Sequence, residues 1–204
     1  MKTLVFENSV GSAAEIIMSG GVAAVPTETV YGLAANALDR RAVERVFEAK
    51  GRPETKPVSI FVTDMKSAEN FCCHIPEAAY RLANAFWPGP LTMILIRRGN
   101  VPDAITAGGE TIGIRCPDNK LVLELLRETG IPLTGTSANL SGEPDAADFD
   151  CVMKYFDGKI ECAIDGGKCP GGVPSTVVDM TSEPPVILRH GGIPDDDIWR
   201  ALNT

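Results

Sequence analysis

Short apolar runs alternate with segments of helical spacing through most of the chain. The apolar runs are four to six residues long and are bounded by glycine, proline or polar turn residues, which predicts buried strands. The predicted strands cover 22–25, 57–62, 91–96, 111–115, 131–134, 160–164, 176–180 and 186–189. Apolar residues three and four positions apart predict the intervening helices. The predicted helices cover 9–19, 40–49, 64–71, 76–86, 121–129 and 149–156.

Capping residues predict where several helices begin and end. Ser9 and Asp39 are predicted N-caps, because short polar side chains accept hydrogen bonds from the first helical turn. Gly51 and Gly130 are predicted to end their helices, since glycine adopts the left-handed conformation without strain. Residues 100–109 carry no helical or strand pattern and are predicted to be loop.

The end of the chain departs from the regular alternation. The strands 176–180 and 186–189 flank a Ser-Glu-Pro-Pro turn and form a predicted hairpin. A wholly parallel sheet is therefore not expected; we predict an α/β fold with a twisted mixed β-sheet and flanking helices. One domain is predicted over 9–193, followed by a short C-terminal tail at 194–204. The acidic cluster 195–197 in that tail either caps a short helix or is simply solvated.

Composition and charge narrow the classes of function. A chain of 204 residues can bury the core of one domain. The net charge of −8, from 19 Lys and Arg against 27 Asp and Glu, argues against a protein that coats nucleic acid nonspecifically. No apolar run is long enough to span a bilayer, and the N-terminus lacks the apolar core of a signal peptide. We therefore expect a cytoplasmic protein with no membrane contact.

The six cysteines do not form a recognisable metal motif. No CxxC pair occurs, so the spacing matches no zinc ribbon or finger. Cys72-Cys73-His74 groups three potential ligands, but adjacent side chains rarely converge on one ion. We expect free thiols, no protein metal site and, without an export signal, no disulfides.

Three cations lie within the seven residues 50–56, Lys-Gly-Arg-Pro-Glu-Thr-Lys. Glycine and proline interrupt any helix there, which predicts a loop between a helix and a strand. Lys50, Arg52 and Lys56 suit a polyanion, because clustered cations neutralise phosphate charge and arginine binds it bidentately. A solvated charged turn is the alternative.

Further polar side chains lie at the predicted strand ends. If those ends converge, they form a cationic cavity suited to a ligand with several negative charges. The candidates are Thr29, Lys50, Arg52, Lys56, Thr111, Arg115, Ser137, Asn139, Ser175 and Arg189. Each has a structural alternative, such as a cap, a turn or an ion pair. The motifs GxxxxGK[ST], GxGxxG, HExxH and GxSxG are absent, and the two histidines, His74 and His190, do not indicate a catalytic base.

Three segments accompany the cation loop: 20–33 (GGVAAVPTETVYGL), 136–142 (TSANLSG) and 174–179 (PSTVVD). In this order and spacing, the four segments resemble the YrdC-like family of threonylcarbamoyl-AMP synthases in its single-domain form, from about Ser9 to Ile193. Each motif alone is weak, but four in order are specific. The resemblance implies the YrdC-like fold, in which the sheet and helices surround a concave cationic cavity.

The resemblance also implies a reaction. L-threonine, bicarbonate and ATP would give threonylcarbamoyl-AMP and pyrophosphate, which makes the protein a nucleotidyltransferase. A downstream threonylcarbamoyl transferase complex would then modify the adenosine next to the anticodon of certain tRNAs, and a weak direct contact with tRNA is an open expectation. Mg²⁺ is expected with ATP, held mostly by phosphate oxygens and water. No protein nucleophile is required, which agrees with the absence of a nucleophile motif.

Roles follow from the resemblance position by position. The implied catalytic residues are Lys50, Arg52, Ser137 and Asn139. The implied ATP-binding residues are Arg52, Lys56, Thr111, Ser137 and Arg189. The implied threonine-binding residues are Thr29, Arg115 and Ser175, with Arg115 as a bidentate clamp for the carboxylate. Phe61 matches a position in the wall of the pocket.

Three alternative functions stay open. A related class of enzyme makes a carbamoyl-adenylate during hydrogenase maturation, but its chains are longer and carry CxxC pairs. A nonenzymatic RNA- or tRNA-binding module would use the same cavity, although the acidic charge and the lack of an aromatic-basic platform argue against it. A domain for an unrelated small ligand requires the motif order to be coincidence. The glycine-rich loop 166–174 either covers the cavity as a lid or is a plain connection.

Overall fold

The computed structural model describes residues 2–7, 9–53 and 55–203. The strands are β1 (Leu4–Glu7), β2 (Ala23–Val25), β3 (Gly32–Ala34), β4 (Ile60–Phe61), β5 (Cys72–Cys73), β6 (Leu91–Arg97), β7 (Thr111–Arg115), β8 (Leu133–Thr134), β9 (Thr136–Ser137), β10 (Cys162–Asp165), β11 (Thr176–Asp179) and β12 (Val186–Arg189). The helices are α1 (Gly11–Met18), α2 (Arg40–Lys50), α3 (Met65–Ala68), α4 (Glu77–Phe86), α5 (Asp103–Thr106), α6 (Lys120–Thr129), α7 (Phe149–Phe156) and α8 (Asp195–Leu202). Within the described residues, no helix has both the length and the apolarity that a membrane crossing requires.

The strands form two mixed sheets. The first has the order β1-β10-β2-β3-β9, with parallel pairing from β1 to β2 and antiparallel pairing beyond. The second has the order β12-β11-β6-β7-β4-β8, and β5 pairs beside β6. Its parallel pairs, β11 with β6 and β4 with β7, lie among antiparallel neighbours. The predicted mixed α/β architecture is confirmed, with the difference that the strands divide between two sheets.

The chain crosses from the second sheet to the first at Gly135, between β8 and β9. Gly135 N donates to Ser59 O at 2.7 Å, and Ser59 Oγ donates to Gly135 O at 2.6 Å. A Cβ on Gly135 would lie 2.7 Å from the Phe61 ring, so the crossing has room only for glycine. A bridge between Asn36 and Leu133 joins the two sheets at the same edge. The sheets are therefore held edge to edge where the chain changes sheet.

Helices cover the sheets and enclose three groups of buried side chains. The largest group joins α2, α4 and α8 to the second sheet and includes Phe47, Leu82 and Ile114. A second group joins α1 and α6 to one face of the first sheet. A third group joins α2 and α7 to its other face. Because neighbouring residues of β2 belong to different groups, that strand is buried on both faces.

The predicted tail is mostly helical and packs on the main core. Helix α8 contacts α4, and its Ile198 is fully buried. The acidic cluster 195–197 occupies the first turn, where carboxylates interact favourably with the helix dipole. The N-cap is Pro194, so the cluster lies within the helix rather than capping it.

Several predicted helix ends are confirmed. Asp39 caps α2 by accepting a hydrogen bond from Arg41 N at 2.9 Å. Gly51 and Gly130 end α2 and α6 in the left-handed conformation, with φ of 58° and 65°. The prediction of Ser9 as an N-cap is wrong, because Val10 occupies that position.

Other boundaries differ from the prediction because tertiary contacts override the local pattern. The helix predicted over 64–71 ends at Ala68, since the chain must turn to place β5 beside β6. The predicted loop 100–109 contains the short helix α5, whose Ile105 is buried in the core. The strand predicted over 57–62 is reduced to β4. Its neighbour Ser59 contacts the crossing glycine instead of extending the strand.

Replacing Gly135 with alanine tests the tight crossing. Gly135→Ala is expected to lower the free energy of unfolding by about 1–3 kcal/mol, because the added methyl would overlap the Phe61 ring. Gly99→Ala is the matched control, since a Cβ there meets no atom within 4 Å. Urea denaturation measures the free energy of unfolding of both variants. Equal free energies of unfolding for Gly135→Ala and the unsubstituted chain would contradict the crossing described here.

Candidate functional site

The strand ends of both sheets line one cavity of about 240 Å³. The cavity lies at the junction of the sheets, beside the crossing at Gly135. Its polar lining consists of Thr27, Thr29, Tyr31, Arg52, Ser59, Thr92, Thr111, Arg115, Thr136, Ser137, Ser175 and Arg189. Seven of the ten sequence-predicted site residues are in this set, and Lys50, Lys56 and Asn139 are not.

Arginine supplies all the charge on the described part of the lining. Arg52 follows α2, Arg115 ends β7 and Arg189 ends β12, so three separate elements bring guanidinium groups to one space. No Asp or Glu among the described residues lines the cavity. The remaining polar groups are mainly hydroxyls. This arrangement attracts a ligand that carries several negative charges.

Protein acceptors fix Arg115 through two of its three nitrogens. Nε donates to Gly89 O at 3.3 Å; Nη2 donates to Thr29 Oγ1 at 3.0 Å and lies 2.7 Å from Glu28 Oε1. The guanidinium carbon lies 5.9 Å from the centre of the Phe61 ring, a cation–π contact. Among the described residues no acceptor engages Nη1, so this nitrogen is available to a ligand. The bidentate clamp that the resemblance implies stays a prediction.

Arg189 and Ser175 form a second connected group on the lining. Arg189 Nε donates to Ser175 O at 2.9 Å, and Nη2 donates to Ser175 Oγ at 3.0 Å. Ser175 Oγ and Thr92 Oγ1 share a hydrogen bond of 2.8 Å. Burial of the guanidinium lowers the pKa of Arg189, but arginine stays charged at neutral pH. The group therefore presents a fixed positive charge beside two hydroxyls.

Arg52 leaves α2 immediately after the helix-ending glycine and turns toward the cavity. Nη2 donates to Pro57 O at 2.9 Å, and Nη1 donates to Thr136 Oγ1 at 3.4 Å. Nε is buried and has no hydrogen-bond partner among the described residues. Burial lowers the pKa of Arg52 below its ordinary value. A buried donor without a partner costs free energy and is uncommon in native structures.

Lys50 lies behind the cavity wall and organises the backbone there. Its Nζ donates to Ser137 O, to Asn139 O at 2.8 Å and to Asn139 Oδ1 at 3.1 Å. Asn139 Oδ1 also accepts from Ser137 Oγ at 2.7 Å, and Asn139 Nδ2 donates to Glu143 O at 2.6 Å. Burial, and next the charge of Arg52, lower the pKa of Lys50 to about 8. The structure thus places Lys50 and Asn139 where they hold Ser137 on the lining.

The other predicted residues take up different positions. Thr29 and Thr111 lie on the lining, as does the predicted wall residue Phe61. Lys56 is exposed and lies outside the lining. The roles assigned to all these residues from the sequence stay predictions.

The loop 166–174 is attached to the segment that carries Thr29. Tyr31 Oη accepts from Gly166 N and donates to Gly167 O, both at 3.0 Å, and burial raises the pKa of Tyr31 to about 12. Gly171 N donates to Glu28 O at 2.9 Å, and the next amide donates to Thr29 O at 2.8 Å. The loop therefore lies against the cavity segment through backbone hydrogen bonds. Whether it also moves as a lid stays a prediction.

Sequence reasoning missed lining residues that lie inside strands or next to them. Thr92 is the second residue of β6, and Thr136 begins the very short strand β9. Ser59 carries no motif, although a polar residue within an otherwise apolar run was a usable signal. Gly113 and Gly135 line the cavity with backbone, and sequence alone gives no sign of it.

All six cysteines are free thiols. Burial raises the pKa of Cys72, Cys116 and Cys162 to about 12, which makes these thiols unreactive. In the part of the chain that the structure describes, no group of three His, Cys, Asp or Glu side chains is placed to hold a metal ion.

The fold and the cavity define an α/β protein with two joined sheets and a cationic ligand site. A family model for Sua5, YciO and YrdC proteins, described as telomere recombination, matches residues 15–191. The chain therefore belongs to the Sua5/YciO/YrdC family, and the predicted YrdC-like resemblance is confirmed.

Individual relatives are close in sequence and structure. The chain is 47% identical over 190 residues to the threonylcarbamoyl-AMP synthase of Pyrococcus abyssi, covering 93% of this chain and 56% of that protein. It is 44% identical over 193 residues to the synthase of Bacillus subtilis, covering 93% and 55%. The crystal structure of P. abyssi Sua5 complexed with L-threonine matches with a TM-score of 0.95 at 43% identity, covering 98% of this chain and 61% of that one. This chain thus spans a little over half the length of these two curated relatives.

The buried amine of Lys50 predicts a particular dependence of stability on pH. Its pKa is about 8 in the folded chain against an ordinary 10.5, so the unfolded chain binds more protons between these values. Lys50 therefore adds stability as the pH rises through this range. We therefore compare the free energies of unfolding of the unsubstituted chain and of Lys50→Met. The unsubstituted chain is expected to gain about 2 kcal/mol relative to the variant between about pH 7 and about pH 10. Urea denaturation measures it, and a constant difference would contradict the lowered pKa.

Proposed function

We propose that this chain is a threonylcarbamoyl-AMP synthase. Bicarbonate and the amine of L-threonine give a carbamate and water. A carbamate oxygen then attacks the α-phosphorus of ATP, and pyrophosphate leaves with the electrons of the broken P–O bond. The names of the close relatives and the threonine complex of a related structure support this reaction.

The observation that carries the proposal is the gathering of Arg52, Arg115 and Arg189 around one cavity without an acidic lining residue among those described. The carbamate and the triphosphate are both anions and repel each other in water. A desolvated site with fixed positive charges neutralises this repulsion and aligns the attack. It also keeps water from the carbamate, which decomposes readily in solution.

The geometry suggests how the substrates divide the cavity. Arg52 together with Ser137 and Thr111 would bind the nucleotide, because these groups supply one fixed charge and two hydroxyls. Arg115 would bind the threonine carboxylate through Nη1, beside Thr29 Oγ1. Arg189, which is bonded to Ser175, would contact the nucleotide from the opposite strand end. In this proposal Lys50 and Asn139 act through Ser137, which they hold in place.

Magnesium enters the proposal as the companion of ATP. The described lining offers hydroxyls and guanidinium groups, which bind phosphate rather than a cation. The protein would therefore hold the phosphates, and the phosphate oxygens with water would hold Mg²⁺.

The product is a mixed anhydride that water would hydrolyse. A threonylcarbamoyl transferase complex that modifies tRNA would therefore have to take it up promptly. We propose such a complex as the downstream partner, with at most weak direct contact between this chain and tRNA.

Omission of single substrates tests the reaction. The protein with ATP and Mg²⁺ is expected to release pyrophosphate only when L-threonine and bicarbonate are both present, because the carbamate is the nucleophile. A coupled pyrophosphate assay measures the release. Release that needs neither co-substrate, or salt-sensitive tRNA binding without any turnover, would overturn the proposal.

Arg52 is predicted to be essential for this turnover. Arg52→Ala is expected to abolish threonine-dependent pyrophosphate release, a loss of at least about 100-fold, because it removes a charge fixed at the phosphates. Arg127→Ala is the control, since Arg127 is exposed on α6 and does not line the cavity. Circular dichroism checks that both variants fold. Near-normal turnover in a folded Arg52→Ala protein would remove Arg52 from the site.

A further inference from the structure

Glu28 lies next to the proposed threonine site but outside the cavity. Its Oε1 is 2.7 Å from Arg115 Nη2, whereas the neighbouring Thr29 and Arg115 both line the cavity. The side chains of Glu28 and Arg115 are only 15% and 7% exposed. The carboxylate therefore contacts Arg115 at Nη2, the nitrogen that also bonds Thr29 Oγ1, without being part of the cavity lining.

Among the described residues, Arg115 is the only basic residue that forms an ion pair with the Glu28 carboxylate. Neither carboxylate oxygen makes a hydrogen bond among the described residues, so the interaction with Arg115 is a contact of opposite charges. Burying an anion in this way is costly unless a cation compensates it. The pair thus balances two charges that would otherwise both be uncompensated.

The backbone of Glu28 is fixed by the loop 166–174. Gly171 N donates to Glu28 O at 2.9 Å, and a Cβ on Gly171 would lie 2.7 Å from that oxygen. Glycine is needed for this close approach. The main chain of Glu28 is therefore held beside the segment that carries Thr29.

The guanidinium keeps its orientation without help from Glu28. Gly89 O holds Nε, Thr29 Oγ1 holds Nη2, and the Phe61 ring lies beneath the group. What Glu28 alone supplies is negative charge beside Nη2 of Arg115. A substrate carboxylate at Nη1 would share the cation with Glu28 and would be repelled by it.

We propose that Glu28 is an affinity-setting residue, a built-in countercharge that weakens the binding of the threonine carboxylate to Arg115. This inference rests on the proposed function, because it takes threonine as the ligand of Nη1. It assigns Glu28 no contact with substrate. By limiting how tightly the threonine carboxylate is held, the countercharge would favour release of the threonylcarbamoyl product over retention.

The isosteric variant Glu28→Gln tests the inference. Removal of the charge is expected to lower the Kd of L-threonine by about tenfold, because the repulsion between two carboxylates across Arg115 disappears. Glu28→Asp, which keeps the charge, is expected to bind threonine within about threefold of the unsubstituted chain. L-threonine amide has no carboxylate and keeps its cationic amine, so it is expected to bind Glu28→Gln no more tightly than Glu28→Asp. Isothermal titration calorimetry with the full chain and with both variants measures these dissociation constants.

A second readout separates this role from a merely structural one. Without ligand, Glu28→Gln is expected to unfold at a lower temperature, because Arg115 is then a buried cation without a countercharge. Saturating threonine is expected to raise the Tm of this variant more than that of the unsubstituted chain. Glu161→Gln is the control, since Glu161 pairs with Arg45 away from the cavity. It should lower the Tm without changing the Kd of threonine.

The outcomes distinguish the two proposals. Unchanged or weaker threonine binding by a folded Glu28→Gln protein, when the unsubstituted chain binds threonine and releases pyrophosphate, would overturn the countercharge alone. Failure of the unsubstituted chain to bind threonine would overturn both the countercharge and the proposed function.

Discussion

The close packing of Gly135 against Phe61 is the constraint on which the site depends. Strands β8 and β9 belong to different sheets although only Gly135 separates them, and the absence of a side chain on Gly135 lets the Phe61 ring pack against this crossing. The strand ends of both sheets then meet at one edge. Phe61 also lies against Arg115, so the ring that packs on Gly135 also forms part of the cavity wall. Fold and site therefore share a single packing contact.

The cations around this junction are held by backbone and hydroxyl oxygens. Arg52 bonds to Pro57 O, Arg189 bonds to both oxygens of Ser175, and Lys50 is enclosed by oxygens of the 137–139 segment. These neutral acceptors orient the positive groups without cancelling their charge. Only Arg115 has an acidic partner within the described site, and that partner does not line the cavity. The cavity thus stays positive toward a ligand although the chain as a whole is acidic.

Much of this architecture could be predicted from the sequence, and the exceptions have physical causes. Asp39 and Gly51 define α2 because capping is a local interaction. Polar residues at strand ends, such as Arg115 and Ser175, indicated the cavity because strand ends tend to converge. Lys50 looked like its neighbour Arg52, but the last turn of α2 points it inward, a direction that only the packed structure defines. Strands β3 and β9 were missed because two or three residues are too few to show a periodicity.

The loop 166–174 is attached to the cavity segment almost entirely through main-chain atoms. Such bonds are indifferent to side-chain identity, so exposed positions such as Lys168 and Val173 are free to change during evolution without moving the loop. Gly171 has no such freedom, because its missing side chain makes room for the neighbouring carbonyl. Family members that diverge here are therefore expected to vary at such exposed positions while they keep Gly171. A replacement of Gly171 would mark a lineage whose loop follows a different path.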